Sequence, residues 1–254
     1  MHLLKVKRAP HLVDDAIGLA YTFSQLSEFP EIEMTDWLEF IAALTLFMVS
    51  HMFPVRPPMR PWLIARLGAK GYFISYSILS LLVLGWLIVA AARAPFVAVL
   101  PQWEIFRWAP LVVMPLACLI AVGGMMAQNP LSFGGLGKQP FDPDKPGMMA
   151  ATRHPLLVAM ALWAGAHLLA NGDLAHVILF GLFGSFAVMG MIVIDRRKQR
   201  LLGQEEWQRL ARGTARLNLM RLHLTPLPVV FAGISFLMLI LLHEPVIGIV
   251  PLPW

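Results

Sequence analysis

The stretch PLLVAMALWAGAHLLANGDLAHVILFGLFGSFAVMGMIVI, residues 155–194, holds a single formally charged side chain, Asp173. A helix needs about 20 apolar residues to cross the ~30 Å hydrocarbon core of a bilayer, and the parts on either side of Asn171-Gly172-Asp173 approach that length. Asn-Gly-Asp favours a turn, and a carboxylate held at mid-bilayer is costly. The segment therefore reads as a tight hairpin of two spans, 155–170 and 174–194.

The rest of the chain repeats the pattern. Apolar runs over 38–55, 72–92, 106–127 and 226–250 bring the set to about six, with the charged residues falling between them. Of the 254 residues 58% are hydrophobic and 14% charged, and the mean hydropathy is +0.68, which argues against a sizeable water-soluble domain. Lipid offers backbone amides no partners, so only helices or a closed barrel can span, and these runs lack the period-two alternation of barrel strands. The expected fold class is all-α, a polytopic integral membrane helical bundle over residues 36–254. Gly123 and Gly124, Gly181 and Gly184, and Ala159 to Ala166 are spaced for close packing of helices.

Lys and Arg are unevenly distributed. Arg56, Arg60, Arg66 and Lys70 follow the first span, Lys138, Lys145 and Arg153 follow the third, and eight basic residues from Arg196 to Arg221 follow the fifth. The alternate links hold only Arg93 and Arg107. By the positive-inside rule the basic links are cytoplasmic and both chain ends lie outside, in a bacterial inner membrane. The net charge of +5 thus reflects topology and partnership with the lipid bilayer, not nucleic acid. The basic stretch 196–221, with Trp207 and leucines interleaved, reads either as an amphipathic helix on an anionic surface or as a solvated helix diluted by Glu205 and Glu206. The loop 128–149 is dense in turn residues and reads as a connection over the cytoplasmic mouth.

Residues 1–35 read as a separate arm. Leu3 and Leu4 precede the basic Lys5, Lys7 and Arg8 and no apolar core follows, which does not fit a signal peptide; Met34 is an alternative start. The single Cys118 rules out an internal disulfide framework and leaves ligand chemistry to histidine, carboxylate or methionine.

Of eight histidines, His2 and His11 lie in the arm and His176, His223 and His243 near span ends. His51, His154 and His167 remain at membrane depth, where an ionisable group suggests a task. On one helix His154 and His167 would stand ~20 Å apart along the axis and ~220° apart in azimuth, so they cannot share a metal. His51, from another helix, is the available partner for either. Two imidazoles facing each other across a bundle is a haem-binding arrangement. With span one running inward and span four outward, His51 and His167 are offset by roughly 13 Å along the normal, and His51 pairs more easily with His154. Arg153 suits either a cytoplasmic interface position or a haem propionate or other anion.

The run Thr152-Arg153-His154-Pro155, followed by Trp163, Ala166-His167 and Asn171-Gly172, resembles the NnrU family, which is related to the plant and cyanobacterial 15-cis-zeta-carotene isomerases. Val49-Ser50-His51, Asp144 to Gly147 and Asp195-Arg196-Arg197 agree in order, so the likeness covers about residues 37–216 and leaves out the arm and the last span. The resemblance implies a membrane haem b protein, with reduced iron isomerising a carotenoid double bond in the plant-type members and an association with nitrite and nitric oxide respiration in NnrU proteins. Carried over by position, the axial ligands fall at His51 and His167, with His154 in support. Where the isomerases have a cysteine able to alternate as ligand, this chain has Ala164.

The same Arg-His-Pro run, with Gln204-Glu205-Glu206-Trp207 downstream, also resembles membrane methyltransferases of the isoprenylcysteine and phospholipid type. That likeness implies S-adenosylmethionine held at the cytoplasmic face by Arg153 and His154; the tyrosine two places after the proline is Leu157 here. Three functions follow as expectations. One is a haem-dependent cis-trans isomerase acting on a long apolar, carotenoid-like molecule and served by a redox partner. The others are a non-catalytic accessory or sensor of denitrification, and a methyltransferase.

Overall fold

The computed structural model describes residues 34–252. The chain divides into two units, residues 1–38 and 39–254. Of the first, the described residues are a 3-10 turn, Met34–Trp37, and Leu38; of the expected arm at 1–35, residues 1–33 lie outside the described residues.

Eight α-helices follow in order: α1 (Leu38–Met52), α2 (Met59–Arg93), α3 (Ala109–Met126), α4 (Met148–Ala151), α5 (Pro155–Ala170), α6 (Leu174–Leu202), α7 (Gln204–Ala211) and α8 (Pro226–Ile247). Among the described residues there is no strand, only an isolated bridge between Ala98 and Asp173. The fold class is all-α, and the apolar helices mark the protein as membrane-embedded.

Among the described residues four helices are long and apolar enough to cross a bilayer: Met59–Arg93, Glu104–Met126 (α3 with its preceding 3-10 turn), Leu174–Leu202 and Pro226–Ile247. The expected count of about six spans is not confirmed. α1 has 15 residues and α5 has 16, which gives roughly 22 and 24 Å at 1.5 Å per residue, short of ~30 Å of hydrocarbon. α5 is limited at both ends by local chemistry. Pro155 opens it, and at Asn171 the chain turns extended before Asp173 caps α6 by accepting from the His176 amide. The Asn171-Gly172-Asp173 hairpin therefore stands where the sequence placed it.

α2 begins earlier than the apolar run suggested, because helical hydrogen bonding resumes on both sides of a break. Gly68 sits at φ 71°, a conformation that L side chains rarely adopt, and separates a basic piece carrying Arg60 and Arg66 from the apolar span after it. Similarly, Gly203 at φ 81° ends α6 and begins α7, so the stretch 196–221 is split between the tail of α6 and a short separate helix.

The heart of the bundle is α5, packed closely against α3 on one side and α6 on the other, with α8 laid on the far side of α3. Ile120, Met148, Leu157, Val158 and Met191 join α3, α4, α5 and α6, while Cys118, Val122 and Ala232 join α3 to α8. α1 and α2 are tied together at one end, where Glu39 accepts from Trp86 Nε1 at 3.2 Å and from Arg93 at 3.4 Å.

The two adjacent glycines of α3 give a graded test of this packing. A Cβ at Gly124 would run into the Pro155 ring, which is fixed at the start of α5, whereas one at Gly123 would meet only the end of the flexible Met148 side chain. Gly124→Ala is expected to cost about 1–3 kcal/mol by overpacking, and Gly123→Ala clearly less. Thermal unfolding of the purified variants in detergent is the measurement.

Candidate functional site

Two polar features interrupt the apolar interior. The first gathers at the N-terminal end of α5. Thr152, Arg153 and His154 are buried there, and Asp195, the only acidic residue of α6, is 2% exposed. An ionised carboxylate at this depth is tolerated only if its lone pairs are taken up by charged donors. Arg153 does so in bidentate fashion, Nε to Oδ1 at 2.8 Å and an Nη to Oδ2 at 2.7 Å. Arg216 adds Nε at 3.1 Å and an Nη at 2.9 Å, both to Oδ2. His154 Nε2 lies 2.9 Å from Oδ1 and its Nδ1 3.1 Å from Ser132 Oγ.

A carboxylate only accepts, so His154 donates Nε2–H to Asp195 and its Nδ1 accepts from the Ser132 hydroxyl. Both ring nitrogens are thereby engaged. Burial pushes His154 below its ordinary 6.5, favouring this neutral form. The cluster also fixes the backbone around it. Asn129 accepts from the amides of Leu131 and Ser132 and donates to the Arg153 carbonyl, Thr152 donates to the Arg216 carbonyl at 2.7 Å, and the Arg153 amide donates to Ala215 O at 2.8 Å. The guanidinium of Arg153 lies over the Trp207 ring at 5.6 Å. The loop 128–149 and the segment after α7 are thus pinned to the opening of α5.

The second feature joins the other two histidines. His51 on α1 donates Nδ1–H to Phe47 O at 2.8 Å, and His167 on α5 donates Nδ1–H to Trp163 O at 2.9 Å. Each bond runs to the carbonyl four residues back in the same helix, and it holds the ring in the tautomer that keeps the lone pair on Nε2. Among the described residues neither Nε2 has a hydrogen-bond partner. The two rings are not in direct contact. His51 stacks on Phe47 at 4.1 Å between centroids, Phe47 meets Phe183 edge-on at 5.4 Å, Phe183 meets Trp163 at 5.6 Å, and Trp163 meets His167 at 5.5 Å. Phe180 closes the group against His167 at 5.3 Å. The two imidazoles flank one aromatic cluster built from α1, α5 and α6.

Of the four residues singled out in the sequence, His51 and His167 therefore meet a common cluster, while Arg153 and His154 belong together to the Asp195 hub. Asn129, Ser132, Asp195 and Arg216 were not singled out. Asp195 carried a readable signal, being the sole carboxylate at the end of a long apolar run.

An all-α membrane bundle with an aromatic cluster between two helix-anchored histidines, and a carboxylate hub locking its ends, is the class defined so far. Within that class the chain belongs to the NnrU family: the family model described as NnrU protein matches residues 39–251. The match takes in the last span, which the likeness read from the motifs had left out. No curated protein and no solved structure matches.

The hub makes unequal predictions for its carboxylate and its outer arginine. Asp195→Asn leaves two guanidinium groups without their counter-charge and is expected to cost about 3–5 kcal/mol, whereas Arg216→Gln removes a cation whose side chain is 50% exposed and should cost no more than about 1 kcal/mol. Because the folded protein holds His154 below its unfolded value, its contribution is complete above about pH 6.5 and falls as pH drops below it. Melting temperatures measured from pH 7.5 to 5 should fall less steeply in His154→Gln, which keeps a donor and an acceptor.

Proposed function

We propose that this NnrU protein is a membrane haem b protein in which His51 and His167 would hold the iron, with redox-dependent cis-trans isomerase activity on a long apolar substrate. The observation that carries this reading is the matched state of the two imidazoles. Both anchor Nδ1–H on a carbonyl four residues back, both keep Nε2 without a hydrogen-bond partner among the described residues, and both border the same aromatic group. An imidazole ligand needs a lone pair on one nitrogen and an orienting hydrogen bond on the other. His154 has its two nitrogens committed, which favours His51 and His167 as the pair. The same commitments speak against the methyltransferase reading, since Arg153 and His154 already serve Asp195.

Haem b between these residues supplies one-electron chemistry, and its potential is set by axial ligands and surrounding polarity. The chain's own contribution is positioning and exclusion of water. Phe47, Trp163, Phe180 and Phe183 surround the site with apolar rings, which suits a hydrocarbon substrate and disfavours solvent. Ala164, fully buried on α5 one turn before His167, offers no thiol, so ligation stays with histidine in both redox states. The basic links support a cytoplasmic position, at a bacterial inner membrane, for the Asp195 hub and the α1–α2 turn.

The protein purified in detergent is expected to show a Soret band with sharp α and β bands on reduction. His51→Ala and His167→Ala should each abolish the six-coordinate reduced spectrum, while His176→Ala, whose ring is held by Asp173 at 2.8 Å, should leave it unchanged. A colourless preparation, or a spectrum lost in His154→Ala and kept in His167→Ala, would overturn the assignment.

A further inference from the structure

The turn from α1 to α2 frames an open recess of about 600 Å³, within the ~300–1,000 Å³ typical of ligand sites. Met52, Phe53, Pro57, Pro58 and Trp62 make its walls apolar, and Arg56 is the one charged residue among its lining. Met52 and Phe53 directly follow His51 in the chain. Two neighbouring cations lie over aromatic rings. Arg60 lies over the Tyr72 ring at 5.9 Å and Arg66 over Trp62 at 5.5 Å. Arg56 has no carboxylate and no aromatic ring among the described residues, and no acidic residue occurs between Glu39 and Glu104. The local field is uniformly positive.

An uncompensated guanidinium set in apolar walls at the edge of a bilayer complements an anion carried on hydrocarbon. A single planar guanidinium matches the two oxygens of a carboxylate. We propose that this recess binds a long-chain fatty carboxylate, with the head on Arg56 and the chain along Met52, Phe53 and Trp62. As the substrate class of the histidine centre, this rests on the haem reading above; as a binding site, it does not.

Trp62 provides the readout. With the full chain in phosphatidylcholine nanodiscs, dibromostearate should quench tryptophan fluorescence saturably, and the quenching should be lost in Trp62→Phe. Dibromostearyl alcohol, with the same chain and no charge, should bind about tenfold more weakly, one decade being ~1.4 kcal/mol, and Arg56→Gln should weaken the acid by a similar factor. Arg56→Lys should recover part of that loss. Equal affinity for acid and alcohol, or no effect of Arg56→Gln, would overturn the proposal. So would equal quenching by brominated phosphatidylcholine, which would mean ordinary bilayer lipid only. The assay reads no haem, so a colourless protein that binds dibromostearate sinks the haem reading alone, and a coloured one that does not bind it sinks this site alone.

Discussion

A carboxylate inside a membrane protein must be satisfied or it destabilises the fold, and Asp195 organises one end of this bundle around that requirement. Its two oxygens receive Arg153, Arg216 and His154, which come from the start of α5 and from the segment beyond α7. Through the backbone of these same residues, the loop 128–149 and residues 211–222 are tied down as well. The arrangement sets where α5 begins and how it is rotated. Because His167 lies on that helix, the hub also determines the direction from which its ring enters the aromatic cluster.

The histidine cluster works by different physics. Nothing there is charged, and the order comes from rings packed at 4–6 Å and from two short bonds to helix carbonyls. Such a bond fixes both tautomer and orientation without another side chain, which leaves the surroundings apolar. α1 meets α6 through Phe47 against Phe183, while α5 packs closely against both α3 and α6. The position of the aromatic group, between the loosely applied α1 and the tightly packed α5 and α6, is where a flat ligand would enter at least cost to the core.

Much of the fold was legible from local chemistry. Asn171-Gly172-Asp173 broke the long apolar run at the observed place because turn propensity and the cost of a buried carboxylate act within a few residues. Helix ends at Gly68 and Gly203 were harder to see, since a glycine inside a polar or mixed stretch does not announce that its φ is positive. The span count is not confirmed at α1 and α5, because hydropathy measures how apolar a run is, and not how far its helix extends before a proline or a hydrogen-bonding cluster stops it. At the site, the histidines stood out by depth, but their allegiances did not. That His154 pairs with Asp195, 41 residues on, is a long-range contact with no local mark. Ser132 and Asn129, in a loop that read only as a connection, became visible as hub residues only through the fold.

The central claim is that two imidazoles from separate helices grip one iron. Pulsed electron paramagnetic resonance of the ferric protein, with histidine labelled by nitrogen-15, tests it most directly. The account predicts a low-spin signal with strong coupling to two histidine nitrogens, one of them disappearing in His51→Ala and the other in His167→Ala. A high-spin signal, or coupling to a single histidine nitrogen in the unaltered protein, would contradict it.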